Sequence, residues 1–322
     1  MYIGAFTVLL LTALWFVSAG HQLNHRILVV QIAISVFFLA VAKVFAHIMT
    51  QTSNDTFTYR GHYIDKWRER SVVLFEGLFF IFLAWMVLRV FNHLTMTLGF
   101  PYADGVLIQM DQFIGLDWHA YFEFVANSPV LVFVLDHAYT GLTSLSILAF
   151  VGLVLTNHIE RARFFFVTFS ITAIVCTAIG AFFPAKAAVN QLLVNTDLLQ
   201  NFPYEPGVYS VDIIDRLRSG GGQFFDLFDL PGLTTFPSFH TAAGIVMVYS
   251  YRGTRMIYPV SLYTAVMIAS TPVYGGHYFV DIIAGTICAL VICRGVEKTK
   301  AFAELFRPLA PKTEIGSELA TR

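Results

Sequence analysis

Charge is what this chain has least of. Asp, Glu, Lys and Arg make up 13% of its 322 residues against 57% hydrophobic, and the mean hydropathy is +0.67. That leaves too little polar side chain to wet the surface of a soluble domain. Cysteine is nearly as scarce: Cys176, Cys288 and Cys293 all fall in apolar stretches, where they read as small core residues rather than as disulfide or metal partners. They leave the redox compartment open. A formal net charge of −1 with no basic stripe excludes a nucleic-acid partner. Internal repeats and low-complexity tracts are also missing.

What the chain has instead is apolar runs. A bilayer crossing needs about 20 consecutive apolar residues, and eight such runs stand at 2–19, 27–48, 71–91, 129–156, 164–184, 237–251, 256–273 and 278–293. The expectation is an all-α, polytopic transmembrane helix bundle. No Lys or Arg precedes the first run, so despite the small-residue stretch "FVSAG" it is expected to stay as a span rather than to leave as a signal peptide.

Lys and Arg in short loops mark the cytoplasmic side of a membrane. Arg60, Lys66, Arg68 and Arg70 lie in one loop, Arg161 and Arg163 in another, Arg252 and Arg255 in a third, and Arg294, Lys298, Lys300, Arg307, Lys312 and Arg322 in the tail. With eight spans all these segments share one side, which places both termini in the cytoplasm. The opposite loops hold Arg26, Lys186, Arg216 and Arg218; Lys43 and Arg89 sit near span ends from which they can snorkel. The layout read from this pattern is N-terminal helices over 1–100, an outward interfacial segment over 101–128, a transmembrane core over 129–296 with an outward loop 185–235, and a polar cytoplasmic tail over 297–322. Trp118, Tyr121 and Phe122 suit a helix lying along the interface, and "RSGGGQ" ends any local helix in the outward loop.

One polar pair stands out against this background. In "STPVYGGHYFVD" two glycines break the chain before His277, and a helix starting there would place His277 and Asp281 four residues apart on one face. The carboxylate would then accept the imidazole N–H and orient the ring. In "TTFPSFHTAAG", Pro237 takes the favoured first helical position, and Ser238 and His240 follow in the first turn of the next span. The N–H groups and positive dipole end of such a turn favour phosphate. Both histidines then lie at the outer ends of their spans, at one depth.

These residues carry a resemblance. Pro237, Ser238 and His240, and Ser270, His277 and Asp281, resemble the second and third signature motifs of the type 2 phosphatidic acid phosphatase superfamily, Pro-Ser-Gly-His and Ser-Arg-x5-His-x3-Asp. Three positions depart from the pattern: Phe239 replaces the usual Gly, Thr271 replaces the Arg, and no Lys-x6-Arg-Pro first motif is present. Instead "FFPAKAAVN" sets Lys186 at the interval expected of the first motif. With "GGHYFVDIIAG" it is more similar to the branch that includes inositol phosphorylceramide synthase.

The resemblance implies a six-helix phosphatase-like core and a reaction in which His277, oriented by Asp281, attacks phosphorus to give a phosphohistidine while His240 protonates the leaving oxygen. Lys186, Ser238, Ser270 and Arg218 form the phosphate-binding set, alongside the first-turn N–H groups. It implies no cofactor, and no third ligand completes a His–His–Asp metal set. The partner implied is a membrane lipid substrate, a lipid phosphate or phosphodiester, without an obligatory protein partner. Water as acceptor makes a phosphatase, an alcohol a head-group transferase; a carrier or scramblase that keeps the fold without the chemistry is the rival of another class. Asp136, His137 and Tyr139 read as an interfacial helix end and Glu76 as structural.

Overall fold

In the computed structural model, residues 11–299 are described apart from 19, 21, 24, 53–58, 209, 221–223 and 226–229. The start of the first apolar run, part of "RSGGGQ" and the tail from Lys300 lie outside the described residues. Beyond a short helical stretch at 11–18, twelve α-helices follow: α1 (His25–Thr52), α2 (Tyr59–Met96), α3 (Asp104–Phe113), α4 (Trp118–Ala126), α5 (Pro129–Thr140), α6 (Leu142–Leu155), α7 (Ile159–Phe182), α8 (Ala188–Leu192), α9 (Val211–Arg218), α10 (Phe239–Tyr251), α11 (Ile257–Tyr274) and α12 (Phe279–Lys298). A 3-10 turn covers Thr196–Asn201, and a two-residue parallel pairing joins Gln22–Leu23 to Phe224–Phe225. The protein is an all-α, polytopic helix bundle.

The span count differs from the eight apolar runs. Among the described residues, three helices are long and apolar enough to cross a bilayer, Lys66–Met96, Ile159–Phe182 and Phe279–Lys298, with α4 and α5 a possible fourth if that bent pair counts as one span. The run 129–156 is interrupted at Gly141, and α10 has 13 residues, short of the 30 Å hydrocarbon thickness at 1.5 Å per residue.

Local chemistry explains several boundaries. Asp117 caps α4 by accepting the Ala120 N–H at 3.0 Å, and Ser128 caps α5 with Pro129 in its first turn. The two helices meet at 108°. Pro272 inside α11 removes an N–H that Ile268 O would have accepted, and the Thr271 hydroxyl supplies a replacement donor at 2.8 Å.

α10 sits at the centre, packed on α7, α11 and α12; α5 packs on α11, α2 on α7, and α1 on α2. Close approach depends on small residues. A Cβ on Gly285 of α12 would run into the Ser238 carbonyl at the head of α10. α3 and α4 cover the end of the bundle where α11 stops and α12 starts. There the structure corrects one expectation: Trp118 and Phe122 are buried inside the protein, 2% and 0% exposed, instead of facing an interface. The Trp118 indole donates to Pro272 O at 3.2 Å and the Tyr121 hydroxyl to Ala269 O at 2.6 Å, so carbonyls at the end of α11 hold this face.

Candidate active site

The second histidine motif is built by a turn rather than by a helix face. α11 ends at Tyr274, and the Thr271 carbonyl accepts the N–H groups of both Gly275 and His277, at 3.0 and 3.2 Å. Gly276 has φ +63°, and a Cβ there would lie 2.5 Å from that of Ala187, so left-handed backbone and close packing both require glycine. α12 starts at Phe279 with Tyr278 as its cap. His277 therefore precedes the helix, and the pairing expected along a helical face is made by a reach-back. From the third helical position, Asp281 Oδ2 accepts the Tyr278 N–H at 3.0 Å and meets His277 Nδ1 at 3.2 Å. Both residues are buried, and Asp281 Oδ1 has no partner among the described residues.

Ser238 caps α10, accepting the Thr241 N–H at 3.4 Å. Pro237 stands one residue before that cap, joined to Phe236 by a cis peptide, instead of occupying the first helical position. The Ser238 N–H donates to Asp281 O at 3.0 Å, and Ser238 Oγ lies 3.4 Å from His277 Nε2. Thus the two motifs are joined. With Asp281 ionised, the imidazole proton sits on Nδ1 and the Nε2 lone pair points toward the head of α10, whose first-turn N–H groups have no acceptor within the helix. His240, in that turn, stacks on Tyr139 with ring centroids 4.1 Å apart and an interplanar angle of 11°. His240 and His277 line one cavity of about 390 Å³.

The remaining expected phosphate ligands lie less directly at the site. Lys186 is close in backbone, since Ala188 N–H donates to Gly276 O at 2.7 Å, but its Nζ is paired with Asp215 of α9 at 2.8 Å and lies over the Tyr102 ring. The hydrogen bond that Lys186 donates to Asp215 raises its ammonium above the ordinary lysine range, and Lys186 holds the Asp215 carboxyl below its own. Arg218 donates to Phe100 O at 2.8 Å and stacks on Tyr102. The Ser270 hydroxyl is buried and donates back to Met267 O at 2.6 Å. Thr271, where the family motif carries Arg, is likewise a helix-end residue with its hydroxyl committed to Ile268 O. Among the described residues, no three His, Cys, Asp or Glu side chains are grouped to hold a metal.

Two residues that the sequence reading passed over organise the site. Asp111 of α3 accepts the N–H groups of Phe279 and Val280, at 2.9 and 2.8 Å, and so caps the helix that carries Asp281. Burial pushes the Asp111 carboxyl up, with those two N–H groups opposing the shift. Asp104 accepts the Lys186 N–H at 3.0 Å and the Tyr278 hydroxyl at 2.8 Å. Their spacing of seven places both on one face of α3, a signal present in the sequence but unremarkable beside other acidic residues. Tyr139, read as part of an interfacial helix end, is the ring beneath His240.

Residues 105–294 match the family model of the PAP2 superfamily. The chain belongs to the PAP2 superfamily. The match runs from α3 through most of α12, taking in both histidine motifs and the two α3 carboxylates' helix, while α1 and α2 lie before it. No curated protein and no solved structure matches the chain. PAP2 membership supports phosphatase- or phosphotransferase-type activity in general terms, and the long apolar helices support a membrane-embedded protein.

Proposed function

We propose that the protein is an integral-membrane phosphatase or phosphotransferase acting on a lipid phosphate or phosphodiester through a phosphohistidine. The observation that carries this reading is the joined pair of motifs, with His277 Nδ1 on the buried Asp281 carboxyl and Nε2 toward the capping Ser238 of α10. In the first step Nε2 attacks phosphorus, the phosphorus–oxygen ester bond breaks, and protonated His240 gives its proton to the leaving oxygen. Asp281 holds the tautomer and stabilises the cation formed on attack. In the second step the acceptor oxygen attacks the phosphohistidine, its proton passes to His240, and His277 is released. Water yields a phosphatase; an alcohol yields a transferase, as in the inositol phosphorylceramide synthase branch that the motifs resemble.

Charge on the equatorial oxygens needs donors. The N–H groups of Phe239 and His240, the Ser238 hydroxyl and Lys186 are the proposed set, with Lys186 leaving Asp215 to join it; Ser270 and Arg218 remain candidates by motif and position. The Lys/Arg bias places the site on the face opposite both termini. Phosphate release from a short-chain phosphatidic acid in detergent, with an acid-labile phosphoenzyme, is expected of the wild type and absent in His277→Ala. Equal release by both proteins would reject the assignment, and transport of lipid without any release would favour the carrier. For topology, a Cys at position 219 should label from outside intact cells and one at 255 should not.

A further inference from the structure

We propose that the cavity holding the two histidines continues as a sleeve for one hydrocarbon chain of the substrate, walled in part by the N-terminal helices that precede the PAP2 match. This rests on the lipid-phosphate reading above and adds where the chain goes and what selects its length. The cavity of about 390 Å³ has His240 and His277 at one end and then descends between α2, α6 and α7. Its lining runs on α2 from Asn92 to Ile81 and on α7 from Thr177 to Phe165. At 1.5 Å per residue these stretches are about 16–18 Å long, close to half of a hydrocarbon core roughly 30 Å thick. Both helices are among those long enough to cross the bilayer, so the cavity follows the membrane normal for about one leaflet.

The chemistry changes along that length. Arg89, Asn92 and Thr234 stand at the histidine end, whereas Phe82, Ile147, Phe166 and Ala173 line the descent. The first set is polar, with Asn92 donating to Thr234 at 2.6 Å, and a phosphate head has no partner in the second. Ala173 keeps the sleeve open at mid-depth. Phe166 lies toward its floor, with its ring centroid 6.4 Å from that of Phe80. Because the cavity is continuous with the reacting imidazole, a chain attached to the phosphoryl group through its leaving oxygen enters the sleeve without leaving an apolar environment. α2 and Ile34 of α1 complete the wall and lie outside the residues matched to the family, so chain selection rests in part on helices outside that match.

The test compares octyl and hexadecyl phosphate in detergent, with p-nitrophenyl phosphate as a substrate that does not reach the sleeve. Ala173→Trp is expected to lower kcat/KM for hexadecyl phosphate about tenfold or more, as loss of several buried methylenes implies, and to spare p-nitrophenyl phosphate. Phe166→Ala should shift preference toward longer chains. A binding readout independent of turnover uses a hexadecyl phosphonate with a diazirine near its chain end. Labels are expected on α2 near Ile81 and on α7 near Phe165, competed by hexadecyl phosphate and lost in Ala173→Trp. Labels on the outward residues Ile283, Ile287 and Val291 of α12, or a chain-length profile unchanged in both variants, would overturn the sleeve. If the labels fall in the sleeve but no phosphate is released from any ester, the sleeve stands and the proposed reaction fails.

Discussion

Two parts of this bundle are equally apolar and differently built. The crossing segment of α2 has 6% of its most apolar window buried, and that of α7 has 50%. Phe37 on α1 is 62% exposed, while Phe150 on α6 is 1% exposed and is met by the face of α2 at Gly77. In a bilayer an apolar side chain gains little by leaving lipid for protein, so hydrophobicity does not choose partners. What distinguishes the core is small residues that admit neighbouring backbone, such as Gly285 against Ser238, and polar groups that must be paired, such as Asp281 and Asp111. The N-terminal helices supply one wall of the site cavity, with Ile34, Phe82 and Trp85 on its lining.

The sharpest way to break the comparison is at the site, where one atom matters most. His277→Ala should lower turnover of any phosphate ester by about 10³-fold or more, since residues that act as a unit fail together. Asp281→Asn should fall between it and wild type, because the imidazole remains without its carboxylate. His240→Ala should cripple alkyl phosphates yet spare the first step with p-nitrophenyl phosphate, whose leaving oxygen hardly needs a proton. Equal damage to both leaving groups would show the roles to be assigned wrongly.

Next in size is packing. Phe150→Ala should destabilise the protein by about 3 kcal/mol or more and Phe37→Ala by less than about 0.5 kcal/mol, measured by thermal or denaturant unfolding in detergent. Similar losses at both positions would erase the distinction between core and lipid-facing helices. Gly285→Val should cost about 1–3 kcal/mol through overpacking against the Ser238 carbonyl, and it should lower activity as well because that contact joins the two motifs. Among the contacts that hold the site, the smallest effect belongs to Asp111→Asn. One amide oxygen replaces two carboxylate acceptors, so about 1–2 kcal/mol is expected to be lost, with kcat falling several-fold and KM little changed; a KM effect alone would argue against a positioning role.

Superfamily membership, helical class and the two histidine motifs were legible in the sequence because each rests on a local or compositional signal. Scarce charge and long apolar runs declare a membrane bundle, and Ser238, His240, His277 and Asp281 stand in short stretches whose spacing the fold preserves. The structure assembles those four, with Ser238 and His277 side by side and both histidines on one cavity. It leaves Lys186 in a pair with Asp215 and turns Ser270 and Arg218 to backbone carbonyls. Interruption is not legible in hydropathy: Gly141 and the short α10 carry the same apolar residues as an unbroken helix.

The sequence by itself determined that the chain enters a membrane, that its backbone is helical, and that two histidines and an aspartate stand at spacings resembling the superfamily's motifs, since apolar length and motif spacing are properties of contiguous residues. Only the tertiary structure decided how His277 meets Asp281, through a turn closed by Gly276 and a reach-back from the first turn of α12. It alone brought Asp104 and Asp111 from α3 to hold that turn and set Tyr139 beneath His240. It also left a cavity between α2, α6 and α7 that both histidines line. These contacts join residues far apart in the chain, and their energies depend on which faces pack together, a choice that apolar surface in lipid does not make and that steric fit and hydrogen-bond pairing do.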